Sequence, residues 1–139
     1  MGKVTTTITV ANRGDQILAI RGFIPANQVR SLTLKDILVD TGATRLCLPQ
    51  EIISQLGLTF QEAVEVKTVA GTLKVSLFKD IALAVEGREG TYNCLELPAG
   101  GEPLLGLIPL EDLGLEPDLH NQRLRLLPTE GKDTYLNIL

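Results

Sequence analysis

Ile37-Leu38-Val39-Asp40-Thr41-Gly42-Ala43-Thr44 places a carboxylate directly after three apolar residues. A short continuous apolar run suits a strand buried on both faces. Such a strand delivers Asp40 to the rim of a core and holds it there. Thr41 adds a hydroxyl for a local hydrogen-bond network. Gly42 permits a tight turn and the close approach of another backbone or of a substrate. Together these residues can fix one carboxylate rigidly at the floor of a cleft.

Outward from this stretch, short β-type runs alternate with turn signals, the pattern of an all-β sandwich or barrel. Thr5 to Val10 is largely β-branched and ends at the turn cluster Asn12-Arg13-Gly14-Asp15. Gln16 to Ile24 reads as a second strand stopped by Pro25, and Val29 to Val39 as a third. Leu46-Cys47-Leu48 is a short fourth. Val64 to Val69 and Leu73 to Phe78 flank Ala70-Gly71-Thr72 as a hairpin. Ile81 to Val85 and Thr91 to Leu97 flank Gly87-Arg88-Glu89-Gly90 as another. Gln122 to Leu127 and Tyr135 to Leu139 complete the strands. Two short helices are expected, over Pro49 to Gly57 and over Pro109 to Gly114, each with proline at its start and glycine just past its end. Pro98 to Pro103 reads as a loop. Leu56-Gly57-Leu58 and Leu113-Gly114-Leu115 form a faint internal echo. Residues 1–139 read as a single domain.

Composition narrows the function. The chain has 139 residues and a net charge of −4, and 44% of it is hydrophobic. Neither nucleic acid nor an anionic membrane is the expected partner of such a chain. No apolar run approaches bilayer-spanning length. Residues 1–10 contain no apolar secretory core, so a cytoplasmic location is expected. Cys47 and Cys94 form no CxxC pair, and His120 is the only histidine. The expectation is two small buried thiols, no metal and no cofactor.

Asp40-Thr41-Gly42-Ala43 after its hydrophobic run resembles the active-site loop of retropepsins, the retroviral family of aspartic proteases. Asp-Thr-Gly alone arises by chance in roughly a few percent of chains this long. The second family signature, two hydrophobic residues and a glycine late in the chain, has its counterpart in Leu104-Leu105-Gly106, with a short helix after it. The flap hairpin expected of the family falls at Val64 to Phe78, with Gly71 near its tip. Order and spacing match over Gln16 to Leu127. The resemblance implies a mainly β, closed-barrel acid protease fold with one or two short helices. It implies Asp40, Thr41 and Gly42 as catalytic-loop residues and Ala43, Val69, Ala70 and Gly71 as substrate contacts. It also implies a threonine, here Thr41, that bonds across a dimer axis.

Aspartic proteases need two carboxylates, one a general base on water and one an acid toward the scissile carbonyl. This chain holds one Asp-Thr-Gly. The expected enzyme is therefore a homodimer pairing Asp40 with its symmetry mate, an endopeptidase acting on peptide or protein substrates. Few aromatic residues are present, so subsites of Leu, Ile and Val are expected. Two other readings stay open: a catalytically silent dimerisation or peptide-binding module on the same fold, and a structural β-domain.

Overall fold

The β-branched run at the N-terminal end forms β1 (Thr5–Asn12) in a computed structural model that describes residues 3–128. Eight further strands follow: β2 (Ser31–Val39), β3 (Leu46–Pro49), β4 (Thr59–Thr68), β5 (Gly71–Val85), β6 (Arg88–Leu97), β7 (Leu104–Leu105), β8 (Leu115–Asp118) and β9 (Arg123–Leu126). Three helices interrupt them: α1 (Arg13–Ile20), α2 (Gln50–Leu56) and α3 (Leu107–Asp112). The chain is mainly β, as expected, with one more helix than expected.

Seven strands form one sheet in the order β1-β2-β7-β3-β6-β5-β4, and β1 also pairs with β5. That extra pairing closes six strands into a ring. β4 stays outside it, on the edge of β5 that β1 uses further along. The long β5 therefore serves two neighbours in succession: its first half pairs with β4 and its last five residues with β1. β8 and β9 form a separate two-stranded sheet. Inside the ring, Ile8, Val10, Ile37, Leu46, Leu48, Ile81, Leu83, Val85, Cys94 and Leu105 make the core, and α2 and α3 add Ile53, Leu56 and Leu110.

Two bulges keep the apolar residues facing inward. Between Thr6 and Ile8 on β1, β2 carries the extra residue at Lys35-Asp36, where Asp36 has φ +58°. Leu32 and Leu34 before the bulge and Ile37 and Val39 after it then share the inner face. β5 has the same device at Lys79-Asp80, where Asp80 has φ +63° and the pairing with β6 shifts. A one-residue slip reverses every side chain beyond it. Both bulges read Lys-Asp-Ile, an internal echo closer than the pair of Leu-Gly-Leu helix ends, whose glycines also have positive φ.

Several expected boundaries change. Gln16 to Ile24 is not a strand: Arg13–Ile20 is helical. Asn12 caps that helix by accepting from the Asp15 amide, so the supposed turn cluster is a helix start. Gly22, at φ +81°, ends it. α3 begins at Leu107, two residues before Pro109, because Gly106 is its N-cap. Leu73 to Phe78 and Ile81 to Val85 belong to one strand, β5. The two-residue β7 and the four-residue β8 were not anticipated. Tyr135 to Leu139 lies outside the described residues.

Asp15, the buried charged residue among those described, ties this end of the barrel together. Arg30 donates to both its carboxylate oxygens, Nε at 2.8 Å and Nη2 at 3.0 Å, and the Arg30 amide donates at 3.0 Å. Asn12 Nδ2 reaches across to the carbonyls of Leu56 and Gly57 at the end of α2. The Arg30 side chain holds the Asp15 carboxyl below its usual range. A carboxyl with a lowered folded-state pKa contributes stability above its unfolded pKa and loses it as pH falls through the folded value. Denaturant midpoints of wild type and Asp15→Asn should therefore differ most at neutral pH and converge below about pH 4. A gap that stays constant down to pH 3 would show that this ion pair does not stabilise the fold.

Candidate active site

Asp40 leaves the end of β2 beside β7, the shortest strand. Leu38 and Val39 pair in parallel with Leu104 and Leu105, and the Asp40 amide donates to the Leu105 carbonyl at 3.0 Å. The chain turns over residues 40–45 and returns as β3, whose Cys47 pairs antiparallel with Leu104. The two arms of the Asp40 loop thus straddle β7. Within the loop, the Ala43 amide donates to the Asp40 carbonyl at 3.1 Å and the Gly42 amide to Asp40 Oδ1 at 2.9 Å. One carboxylate oxygen is fixed by the motif's own glycine. A Cβ on Gly42 would stand 3.1 Å from that oxygen, so a side chain there would press on the carboxylate.

Gly106 locks the loop from below. A Cβ on it would meet Arg45 N at 2.7 Å and Ala43 O at 2.8 Å, with Arg45 O closer still. Its φ of −93° suits any residue, so glycine is required here by space. The first turn of α3 then reaches the same loop. Leu107 and Ile108 donate their amides to the carbonyls of Ala43 and Thr44, both at 2.8 Å. Leu104-Leu105-Gly106 and Asp40-Thr41-Gly42-Ala43 come together as one unit, although more than sixty positions separate them in the chain.

The sheet register shows what lies beside the carboxylate. Paired residues share a face. Thr5, Leu38, Leu104, Cys47, Leu95, Leu77 and Glu62 form one row across all seven strands. Val39, Leu105, Leu46, Cys94 and Phe78 lie one step along and point into the barrel. The first row points the other way, and Asp40, two residues after Leu38, belongs to its side. Burial pushes the Cys47 thiol up to about 11, helped by the nearby Asp40 carboxylate, in keeping with a shared side. Cys94 is pushed up to about 12 by burial and by Cys47. Both thiols are buried and free, and protonated at neutral pH they are poor nucleophiles.

Beyond Leu77 the outward row runs into the β4–β5 hairpin. Val64 pairs with Val75, and Val66 with Leu73, on the Leu77 side. Glu65 pairs with Lys74 on the opposite side. The hairpin is thus apolar on one face and charged on the other. Val69, Ala70 and Gly71 sit at its tip, all exposed, with Val69 fully so. Gly71 has φ +124° and open space around it. No hydrogen bond joins the tip to the Asp40 loop among the described residues, so the structure does not bring these three residues to the carboxylate. Thr41 and Gly42 are exposed, and Asp40 and Ala43 are half-buried. Sequence reasoning did not identify Leu38, Cys47, Leu77 and Leu95 as neighbours of the site. They come from four strands, and only the pairing shows that they share a face.

Among the described residues no cluster of His, Cys, Asp and Glu could hold a metal ion, and no helix is long and apolar enough to cross a membrane. The fold and site define a mainly β protein with one carboxylate loop braced on a buried glycine. The sequence matches no family model and no curated protein.

Gly106→Ala should displace the 43–45 backbone and lower the melting temperature by several degrees, comparable to an overpacked core. Calorimetry of the variant beside Gly100→Ala, whose site is open but left-handed, separates crowding from backbone strain. Equal losses in the two variants would show that the loop is not wedged on Gly106.

Proposed function

We propose that this chain is one half of a twofold retropepsin-like aspartic endopeptidase, with Asp40 of each copy forming the catalytic pair. The observation that carries this reading is the braced Asp40 loop at the edge of an outward aliphatic row. Its carboxylate is held by the Gly42 amide, and the row beside it leads to an apolar hairpin face. The half-buried Leu38, Leu104 and Leu95 of that row, with the exposed hairpin, suit an extended peptide with apolar side chains. They also agree with the expected shortage of aromatic subsites.

The chemistry requires the partner. Two carboxylates in contact cannot both ionise, so the pair shares one proton. The ionised member takes a proton from a water that attacks the scissile carbonyl carbon. The protonated member donates to the carbonyl oxygen. The tetrahedral intermediate then collapses, and the amine leaves with a proton. Thr41 is exposed beside Asp40, and in this reading its hydroxyl bonds across the twofold axis. The hairpin is long enough to act as a flap. Six residues separate Leu77 from Gly71, about 20 Å of strand, while four strand spacings, about 19 Å, separate Leu77 from the Asp40 strand. Bent over the sheet at Leu77, the hairpin would bring its tip to the carboxylate.

Asp40→Asn should cut peptide hydrolysis by about a thousandfold or more while leaving fold and assembly in place. Wild-type rates should fall faster than linearly on dilution, because each chain supplies one carboxylate. Cleavage of a mixed peptide library, followed by mass spectrometry, reads both. Full activity in Asp40→Asn would exclude this chemistry. Peptide binding without cleavage by wild type would instead favour the silent peptide-binding module, since the apolar row does not depend on Asp40.

The hairpin tip gives an independent test. Valine at position 71 must adopt φ +124°, which a β-branched residue resists, yet it meets no neighbouring atom. Gly71→Val should thus lose most activity with only a modest loss of stability. Wild-type turnover would show that the hairpin is not a flap.

A further inference from the structure

α1 and the turn after it expose an apolar knob. Ile20 is 75% exposed and Phe23 is 73% exposed, with Leu18 beside them. The knob is rigidly built. The Phe23 amide donates to the Leu18 carbonyl at 2.9 Å and the Gly22 amide to the Ala19 carbonyl at 3.1 Å. This is the paired closure of a helix end that brings the residue after the glycine onto the last turn. It lies at the Asn12–Ser31 end of the β1–β2 pair. The nine residues of β2, about 30 Å of strand, separate it from Asp40.

A hole lies next to the knob. A pocket of about 400 Å3 opens on the outer face of β1, β5 and β6. Its floor is small, with Ala11, Ala82 and Ala84. Arg13 and Gln16 of α1 form one wall and Glu89 the other. Arg13, Gln16, Ile17 and Ile20 follow the i, i+3, i+4, i+7 spacing of one helix face. The same stripe of α1 therefore borders the hole at one end and carries the knob at the other. A cavity of about 150 Å3 holds benzene, so this one has room for a phenylalanine ring with an isoleucine beside it.

We infer that knob and hole are the two halves of one self-complementary surface, and that its occupant is a second copy of this chain. A twofold axis between two such faces seats each Ile20 and Phe23 on the other copy's alanine floor. It also brings Arg21, exposed between the two knob residues, toward the exposed Glu89 of the other copy. The local match of Arg21 with Glu89 fits a second copy, whereas anionic lipid would meet the Glu89 carboxylate at the wall of the hole. Only Ile20 and Phe23 anchor each half of the contact, so the association belongs at high protein concentration. It leaves the Asp40 loop uncovered and does not depend on the catalytic reading.

Sedimentation of the full chain from about 1 μM to about 1 mM tests this. Three proteins are compared: wild type, Ile20→Asp/Phe23→Asp and Ala84→Arg. The wild-type mass should at least double relative to either variant at the upper end, whatever the variants' own state, and all three should keep the same circular dichroism. If the Asp40 pairing is real, the variants are still dimers; if it is not, they are monomers, and the doubling is read in either case. A bismaleimide should also join Phe23→Cys chains to Ala84→Cys chains in a mixture, with buried Cys47 and Cys94 silent. A wild-type mass that never exceeds that of the variants would overturn the inference and assign the knob to a different partner. Equal association in all three would overturn it in the same way, because the contact would then lie on another face.

Discussion

The Asp40 loop rests on a position that has no room for a side chain. Backbone atoms of Ala43 and Arg45 occupy the space where a Cβ of residue 106 would stand. From that contact follow the placement of β7 between β2 and β3, the start of α3 at Leu107, and the two amides that α3 spends on the loop carbonyls. A loop held by its own glycine above and by a second glycine below has little freedom to move. Preorganisation of this kind is what a catalytic carboxylate needs, because geometry fixed in advance need not be ordered during reaction.

The second consequence is a division of faces. Every strand of the ring shows one side to the barrel interior and the other outward. The outward side of β2, β7, β3, β6 and β5 is nonetheless aliphatic along the row from Leu38 to Leu77. Leu77 is 3% exposed although it lies outside the main core. Leu38, Leu104 and Leu95 are half-buried. A sheet apolar on both sides needs cover on both sides. On the outward side the chain itself already covers Leu77 and Cys47, and leaves Leu38, Leu104 and Leu95 half-buried.

Much of this was legible in the sequence, and the failures have physical causes. Ile37 to Gly42, Leu104 to Gly106, the hairpin about Gly71 and the helix ending at Gly57 all carry local signals, in apolar runs or in glycines with a specific task. α1 was misread because Asn12-Arg13-Gly14-Asp15 fits a turn and a helix cap equally well. Both use an Asx side chain accepting from a nearby amide. The exposure of Ile17, Leu18 and Ile20 also removed the one-sided pattern that identifies most helices. β5 was read as two strands because Lys79-Asp80 interrupts the apolar alternation, and the bulge that makes one strand of it needs φ +63° at an aspartate. β7, at two residues, is too short for any periodicity. The aliphatic row could not be read at all, since its members are neighbours only across strands.

Ring closure also bears on the order of folding. β4 with β5, and β5 with β6, are joined by tight turns and pair locally. β1 with β2 needs only a modest loop. β1 must then find β5, with Ile8 opposite Val85, and β7 must insert between strands made much earlier in the chain. Contacts so distant in sequence form only after large losses of chain entropy. Leu104-Leu105-Gly106 follows β1 to β6 in the chain. The Asp40 loop therefore draws its support from the last strand of the large sheet, and a chain shortened before residue 104 would carry the motif without the contact that holds it.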